Sequence, residues 1–143
     1  MEQDSNSAGA AQSQADFGGV GQGRVVLVVE DESNISEAIR YILNRDGWRV
    51  TVLDSGAQLE QTLVTQTPAL MILDVMLPGQ SGFDILRNLR SDPQMLDLPV
   101  ILLTAKGQAG ARELAMECGA SLFMAKPFAN RDLLDAVRDL VRG

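Results

Sequence analysis

Short apolar segments alternate five times with segments of helical periodicity between residues 24 and 143. The apolar segments cover residues 25–29, 48–53, 69–74, 98–103 and 121–125, and the helical ones lie at about 35–43, 59–63, 83–90, 109–118 and 133–141. Short apolar runs bounded by turn residues are typical of strands buried on both faces of a sheet. Strands that alternate with helices form parallel sheets through right-handed crossovers, so the pattern predicts one α/β domain.

Composition narrows the classes of function. The chain of 143 residues contains no histidine and a single cysteine, Cys118. The usual zinc site, the Ser-His and Cys-His nucleophile pairs and an internal disulfide are therefore excluded. A net charge of −7, with no stripe of Lys and Arg, argues against direct nucleic-acid binding. The apolar runs are too short to span a bilayer, and residues 1–23 do not resemble a secretory signal. We predict a cytoplasmic protein without a membrane partner.

The first 23 residues differ in composition from the rest of the chain. They are mainly Gln, Ser, Ala, Gly and Asp, and such a segment cannot bury enough apolar surface to offset the entropy lost on ordering. We therefore predict a disordered N-terminal arm over residues 1–23 and a folded domain over residues 24–143.

Polar residues follow four of the predicted strands. These are Glu30 and Asp31 after the first strand, Asp74 at the end of the third, Thr104 after the fourth and Lys126 after the fifth. The carboxyl ends of parallel strands meet at one edge of a sheet, so these side chains are expected to form one cluster. The alternative assigns each residue an unrelated structural role, as a turn cap, a strand residue or a solvated cation, and requires five coincidences at the same edge.

The predicted cluster has the composition of a phosphoryl-transfer site. Three carboxylates without His or Cys favour a hard cation such as Mg²⁺, which keeps several waters and accepts phosphate oxygens as ligands. Thr104 can donate a hydrogen bond to a phosphoryl group, and Lys126 offers a point charge. With its charge so balanced, Asp74 can attack a phosphorus atom in line and become an acyl phosphate.

Four motifs in order give the chain a resemblance to a known family. The motifs are Val28-Val29-Glu30-Asp31-Glu32, Leu73-Asp74-Val75-Met76-Leu77-Pro78-Gly79, Leu102-Leu103-Thr104-Ala105-Lys106 and Phe123-Met124-Ala125-Lys126-Pro127-Phe128. Over about residues 24–142 the chain resembles a response regulator receiver domain of two-component signalling. The resemblance implies a flavodoxin-like (βα)5 fold, a doubly wound five-stranded parallel sheet with strand order 2-1-3-4-5.

The resemblance also implies roles for individual residues. Asp74 would be the phosphoacceptor, and Asp31, Asp74 and the backbone carbonyl of Met76 would bind Mg²⁺, with Glu30 acting through water. Thr104 and Lys126 would bind the phosphoryl group. Phe123 would be the switch aromatic, whose ring turns inward behind the Thr, and the bond between Lys126 and Pro127 would be cis.

The expected function is a phospho-accepting signalling switch rather than an enzyme that turns over other molecules. A histidine kinase or phosphotransfer protein would supply the phosphoryl group, and an unknown downstream protein would bind the face of helix four, strand five and helix five. One alternative is a phosphohydrolase of the haloacid dehalogenase type, which carries an acid/base Asp two residues after its nucleophile, where this chain has Met76. Another is a pseudo-receiver that binds partners without phosphate, which the intact set of five residues disfavours.

Two variable positions are predicted to modulate loss of the phosphoryl group. In receivers they lie two residues after the phosphoacceptor, here Met76, and two after the Thr, here Lys106. Neither side chain can act as a general base, since a thioether accepts weakly and an ammonium only donates. Both are long enough to cover the phosphoryl group, so slow self-dephosphorylation is expected. Lys106 pointing into solvent is the alternative.

Overall fold

A computed structural model describes residues 19–105 and 110–142. The described residues form seven strands: β1 (Val25–Val29), β2 (Arg49–Leu53), β3 (Leu70–Asp74), β4 (Met76–Leu77), β5 (Gln80–Ser81), β6 (Val100–Ala105) and β7 (Leu122–Lys126). The α-helices are α1 (Ser33–Arg45), α2 (Leu59–Thr65), α3 (Gly82–Arg90), α4 (Ala111–Cys118) and α5 (Asn130–Arg142). Short 3-10 helices cover Gly56–Gln58 and Pro93–Met95.

Five of the strands form one parallel sheet in the order β2-β1-β3-β6-β7. Counted along the main sheet, this is the order 2-1-3-4-5, so the predicted flavodoxin-like fold is confirmed. The main-sheet strands begin and end within two residues of the predicted segments. Every strand of this sheet has its carboxyl end at the same edge, which we call the site edge.

Alternate residues of the buried strands point into two separate cores. Leu27, Val29 and Leu73 pack with α2, α3 and α4 on one face of the sheet. Val26, Val28 and other intervening residues pack with α1 and α5 on the opposite face. The central strands are covered on both faces, so their sequences are continuously apolar until the chain emerges at the site edge.

A small antiparallel hairpin follows β3 where the sequence predicted only a Pro-Gly turn. Its strands β4 and β5 pair Met76 with Ser81 and Leu77 with Gln80. Gly79 takes a φ of 75° in the turn, a left-handed conformation that favours glycine. The hairpin leads directly into α3, whose first turn is capped by the Ser81 hydroxyl.

The segment Gly19–Gly23 packs against the turn before β2, although the sequence assigned it to a disordered arm. The amide of Gly21 donates to the carbonyl of Asp46 at 2.8 Å, and the amide of Gly23 donates to that of Gly47 at 2.7 Å. A Cβ at Gly21 would lie 2.5 Å from the backbone nitrogen of Trp48, so only glycine fits there. Residues 19–23 therefore pack against the domain, and residues 1–18 of the predicted arm lie outside the described residues.

A charged contact lies at the edge of the sheet opposite the site edge. Arg138 of α5 bonds both carboxylate oxygens of Asp46, at 2.6 and 3.1 Å, and the Trp48 indole donates to Asp46 Oδ2 at 3.1 Å. The bonds from Arg138 lower the pKa of Asp46, and the bond from Trp48 adds to this effect. Asp46 thus joins α5 to the start of β2.

No helix within the described residues is both long and apolar enough to cross a membrane.

Candidate phosphoacceptor and metal site

An acidic cluster lies at the site edge. Glu30 and Asp31 follow β1 and Asp74 ends β3, and one carboxylate oxygen of each lies within 4.8 Å of the others. Glu30 and Asp74 are buried, whereas Asp31 is exposed. The neighbouring strands β1 and β3 bring the first two motifs together, as the sequence predicted. The cluster is open to solvent on the side of Asp31.

Backbone contacts fix the position of Asp74. Its Oδ1 accepts a hydrogen bond from the amide of Met76 at 3.2 Å. The amide of Val75 donates to the carbonyl of Leu103 at 2.9 Å, which holds the end of β3 against β6. A Cβ at Gly82 would lie 2.3 Å from the Asp74 carbonyl oxygen, so the first turn of α3 approaches the strand end as only glycine allows. The chain at Asp74 is therefore held by β6 and α3, and its side chain is held by the amide of Met76.

Lys126 lies among three carboxylates. Its Nζ is 3.1 Å from Glu30 Oε1, 3.2 Å from Asp74 Oδ1 and 3.4 Å from Glu32 Oε1. Burial acts to lower the pKa of Lys126, but the ion pairs with Glu30 and Asp74 outweigh it and the pKa is raised. The ammonium is therefore charged. The peptide bond between Lys126 and Pro127 is cis, as the resemblance implied.

Burial disfavours the charged form of Glu30. Burial raises the pKa of Glu30 to about 7, and the nearby charge of Asp74 acts in the same direction. The Glu32 amide donates to its Oε2 at 3.1 Å, but its buried Oε1 accepts no hydrogen bond from the described residues. Lys126 approaches that oxygen only as an ion pair. A buried carboxylate beside two further carboxylates, with no nitrogen or sulfur ligand among them, fits a hard divalent cation.

Thr104 and Phe123 lie on the two strands beyond Asp74. Thr104 is buried near the end of β6 and pairs in register with Ala125, the residue before Lys126. Phe123 is half-buried on β7, packs against the core around α4, and has the guanidinium of Arg112 at 5.5 Å from its ring centre. In the sheet, the strands of Thr104, Phe123 and Lys126 therefore all lie on one side of β3, the strand that ends in Asp74.

Only one of the two predicted modulating positions lies within the described residues, and the role of each stays a prediction. Met76 lies two residues after Asp74. The Met76 side chain is 62% exposed and lies at the entrance of the site. Lys106 lies outside the described residues. Its predicted role stays a prediction.

Sequence reasoning missed the contact of Glu32 with Lys126 and that of Arg112 with Phe123. Glu32 had a signal, since it is the third acidic residue in a row after β1. Arg112 had none, because its partner lies on another element and no spacing rule joins the two.

Comparison with known proteins supports the same family. The model of the response regulator receiver domain matches residues 26–138. The transcriptional regulatory protein GltR of Pseudomonas aeruginosa is 38% identical over 120 residues, which are 84% of this chain and 50% of GltR. The chain spans about half the length of the curated relatives it matches.

Solved structures give the same result. The BeF3-activated N-terminal receiver domain of Klebsiella pneumoniae RstA is 30% identical with a TM-score of 0.77, over 84% of this chain and 100% of that one. The receiver domain of the Pseudomonas aeruginosa sensor histidine kinase PA1611, with a magnesium ion in its active-site cleft, is 28% identical. Its TM-score is 0.77, over 85% of this chain and 99% of that one.

The fold, the acidic cluster and these matches define a signalling domain. The chain belongs to the response regulator receiver domain family of two-component systems.

Proposed function

We propose that Asp74 accepts a phosphoryl group from a histidine kinase or a phosphotransfer protein, with Mg²⁺ bound beside it. The observation that carries this proposal is the setting of the Asp74 carboxylate. It is buried at the site edge within reach of two other carboxylates and 3.2 Å from the Lys126 ammonium. The opposing charges on either side are those needed to bind a phosphoryl group and a divalent cation together.

Asp31, Asp74 and the backbone carbonyl of Met76 would hold Mg²⁺, and Glu30 would act through a water molecule. The close approach of the three carboxylates and their all-oxygen donor set support this assignment. Bound Mg²⁺ would supply positive charge to the phosphoryl oxygens and lower the repulsion between Asp74 and the anionic donor. Ionisation of Glu30 is a prerequisite for its part, because a protonated carboxyl is a poor ligand.

The transfer step forms one bond and breaks one bond. A carboxylate oxygen of Asp74 attacks the phosphorus in line, the new P–O bond forms, and the P–N bond of the phosphohistidine donor breaks. The leaving imidazole keeps the electron pair and takes up a proton. Lys126 balances the charge on the transferred group, and the Thr104 hydroxyl donates a hydrogen bond to one of its oxygens.

Phosphorylation would then change the face formed by α4, β7 and α5. Thr104 lies on β6, between the strand of Asp74 and this face, and Phe123 lies on β7 within the face. Movement of Thr104 toward the phosphoryl group would leave room for the Phe123 ring to turn inward. A downstream protein would bind the changed face. The predicted cytoplasmic location of the protein stays a prediction. A phosphohydrolase is a weaker assignment, since Met76 occupies the place of the acid that such enzymes need.

The test is labelling of the whole chain by acetyl phosphate in the presence of Mg²⁺, followed by intact-mass measurement. The wild type should gain one phosphoryl group, and Asp74→Asn should gain none while remaining folded. Asp54→Asn is a matched control, because Asp54 follows β2 at the same edge, is exposed and lies outside the acidic cluster. Full labelling of Asp74→Asn contradicts the assignment. Steady turnover of a phosphomonoester by the wild type would favour the hydrolase instead.

A further inference from the structure

Glu32 is the third carboxylate around Lys126 and the only exposed one of the three in the described residues. Its side chain is 55% exposed, whereas the side chains of Glu30 and Asp74 are 0% and 2% exposed. Glu32 Oε1 accepts a hydrogen bond from Lys126 at 3.4 Å. The pair therefore spans the rim of the site from β1 to β7.

The backbone of Glu32 is fixed, although its side chain is able to leave. Glu32 is the N-cap residue of α1, and its carbonyl accepts from the amides of Ile35 and Ser36 at 3.1 Å. Its own amide donates to Glu30 Oε2 at 3.1 Å. The cap uses only backbone groups of Glu32, since its side chain makes no capping bond. Rotation of the side chain into solvent would therefore leave both α1 and the acidic cluster in place.

We propose that Glu32 is a positioning residue that occupies the Lys126 ammonium in the unphosphorylated protein and competes with the incoming phosphoryl donor. The inference rests on the proposed function of Asp74. Lys126 must exchange its bond with Glu32 for one with a phosphoryl oxygen, while Glu30 and Asp74 remain beside it. The contact thus opposes reaction with small anionic donors, and it does so more strongly when the donor carries more negative charge.

The expected size of this effect is modest, because the pair is half exposed. Exposed ion pairs have small interaction energies, and salt screens them. Loss of one such pair corresponds to about a two- to fivefold change in rate. Glu32→Gln should speed labelling by acetyl phosphate, a dianion, about two- to fivefold at low salt. The gain should be smaller with phosphoramidate, a monoanion, and should shrink toward none at about 0.5 M salt.

A second measurement tests the contact without metal or phosphodonor. The chain has two lysines, Lys106 and Lys126, and an uncharged amine-modifying reagent followed by peptide mass spectrometry measures each one separately. In Mg²⁺-free protein, Glu32→Gln should raise the modification rate of Lys126 relative to Lys106 about twofold or more, because the ammonium loses a charged partner. Glu60→Gln removes an equal charge from an exposed position on α2 and should leave both rates unchanged.

The outcomes separate this inference from the proposed function. A wild type that is never labelled overturns the role of Asp74, and the modification rates then still decide whether Glu32 holds the ammonium. A labelled wild type with Glu32→Gln equal to it in both measurements overturns the inference. Slower labelling of Glu32→Gln also overturns it, because Glu32 would then assist the donor rather than compete with it.

Discussion

Raising the pH of the Mg²⁺-free protein is expected to destabilise the fold through Glu30. Burial raises the pKa of Glu30 in the folded state to about 7, against an ordinary value of 4.5. A carboxyl whose pKa is raised on folding binds its proton more tightly in the folded state. The stability that it contributes is present below about pH 4.5 and is lost as the pH rises through about 7.

The size of the effect follows from the two pKa values of Glu30. The linkage relation gives a loss of about 2 kcal/mol between about pH 5.5 and about pH 8, because each pKa unit corresponds to about 1.4 kcal/mol. The absence of histidine makes the measurement clean, since no imidazole titrates in that interval. Burial also raises the pKa of the Cys118 thiol, which keeps it neutral across the range.

The assay is urea unfolding in EDTA at both pH values, followed through the fluorescence of Trp48, the single buried tryptophan. Glu30→Gln imitates the protonated carboxyl and should lose less stability than the wild type on raising the pH, by about 2 kcal/mol. Glu60→Gln serves as the control and should follow the wild type. If the difference between wild type and Glu30→Gln is the same at both pH values, the assignment of the raised pKa to Glu30 is wrong. Saturating Mg²⁺ should stabilise the wild type more at the higher pH, since the cation requires the ionised form.

Three further predictions concern other parts of the molecule. Asp46→Ala should lower the free energy of unfolding by about 1–3 kcal/mol, because the buried Trp48 indole loses its acceptor; an unchanged urea midpoint would contradict this. Trp48 fluorescence should barely change when Mg²⁺ is added to the folded protein, since a strand of about six residues spans roughly 20 Å and Trp48 precedes β2 at the far edge; strong quenching would refute it. Met76→Asn and Lys106→Glu should each speed the decay of labelled protein in a chase with Mg²⁺, and an equal or slower decay would rule out shielding of the phosphoryl group.

The main sheet was predictable because its strands are buried on both faces. Burial selects continuous apolar runs such as Val25–Val29, and those runs end where the chain reaches solvent at the site edge. Topology then brings residues that are far apart in sequence together, so strand ends alone predicted the meeting of Glu30, Asp31, Asp74 and Lys126. The assigned roles of these residues in phosphorylation still await experiment.

Other features left little trace in the sequence. The strands β4 and β5 are two residues long, which is too short for any alternation of polar and apolar residues to be detected. The Gly19–Gly23 segment packs through backbone hydrogen bonds, and a side chain at Gly19 or Gly21 would not fit. Its composition therefore resembles that of a disordered arm. The contact of Glu32 depends on the direction of one flexible side chain, which composition and periodicity do not specify.

The bond between Asp46 and Arg138 fixes one point of α5 against the sheet. The helix begins at Asn130, shortly after Lys126, and Arg138 lies about 12 Å further along its axis. Arg138 is tied by two hydrogen bonds to Asp46 at the opposite edge of the sheet. This contact therefore joins the middle of α5 to the edge of the sheet that lies farthest from the phosphoacceptor. Asp46→Ala would leave α5 without this tie to the turn before β2.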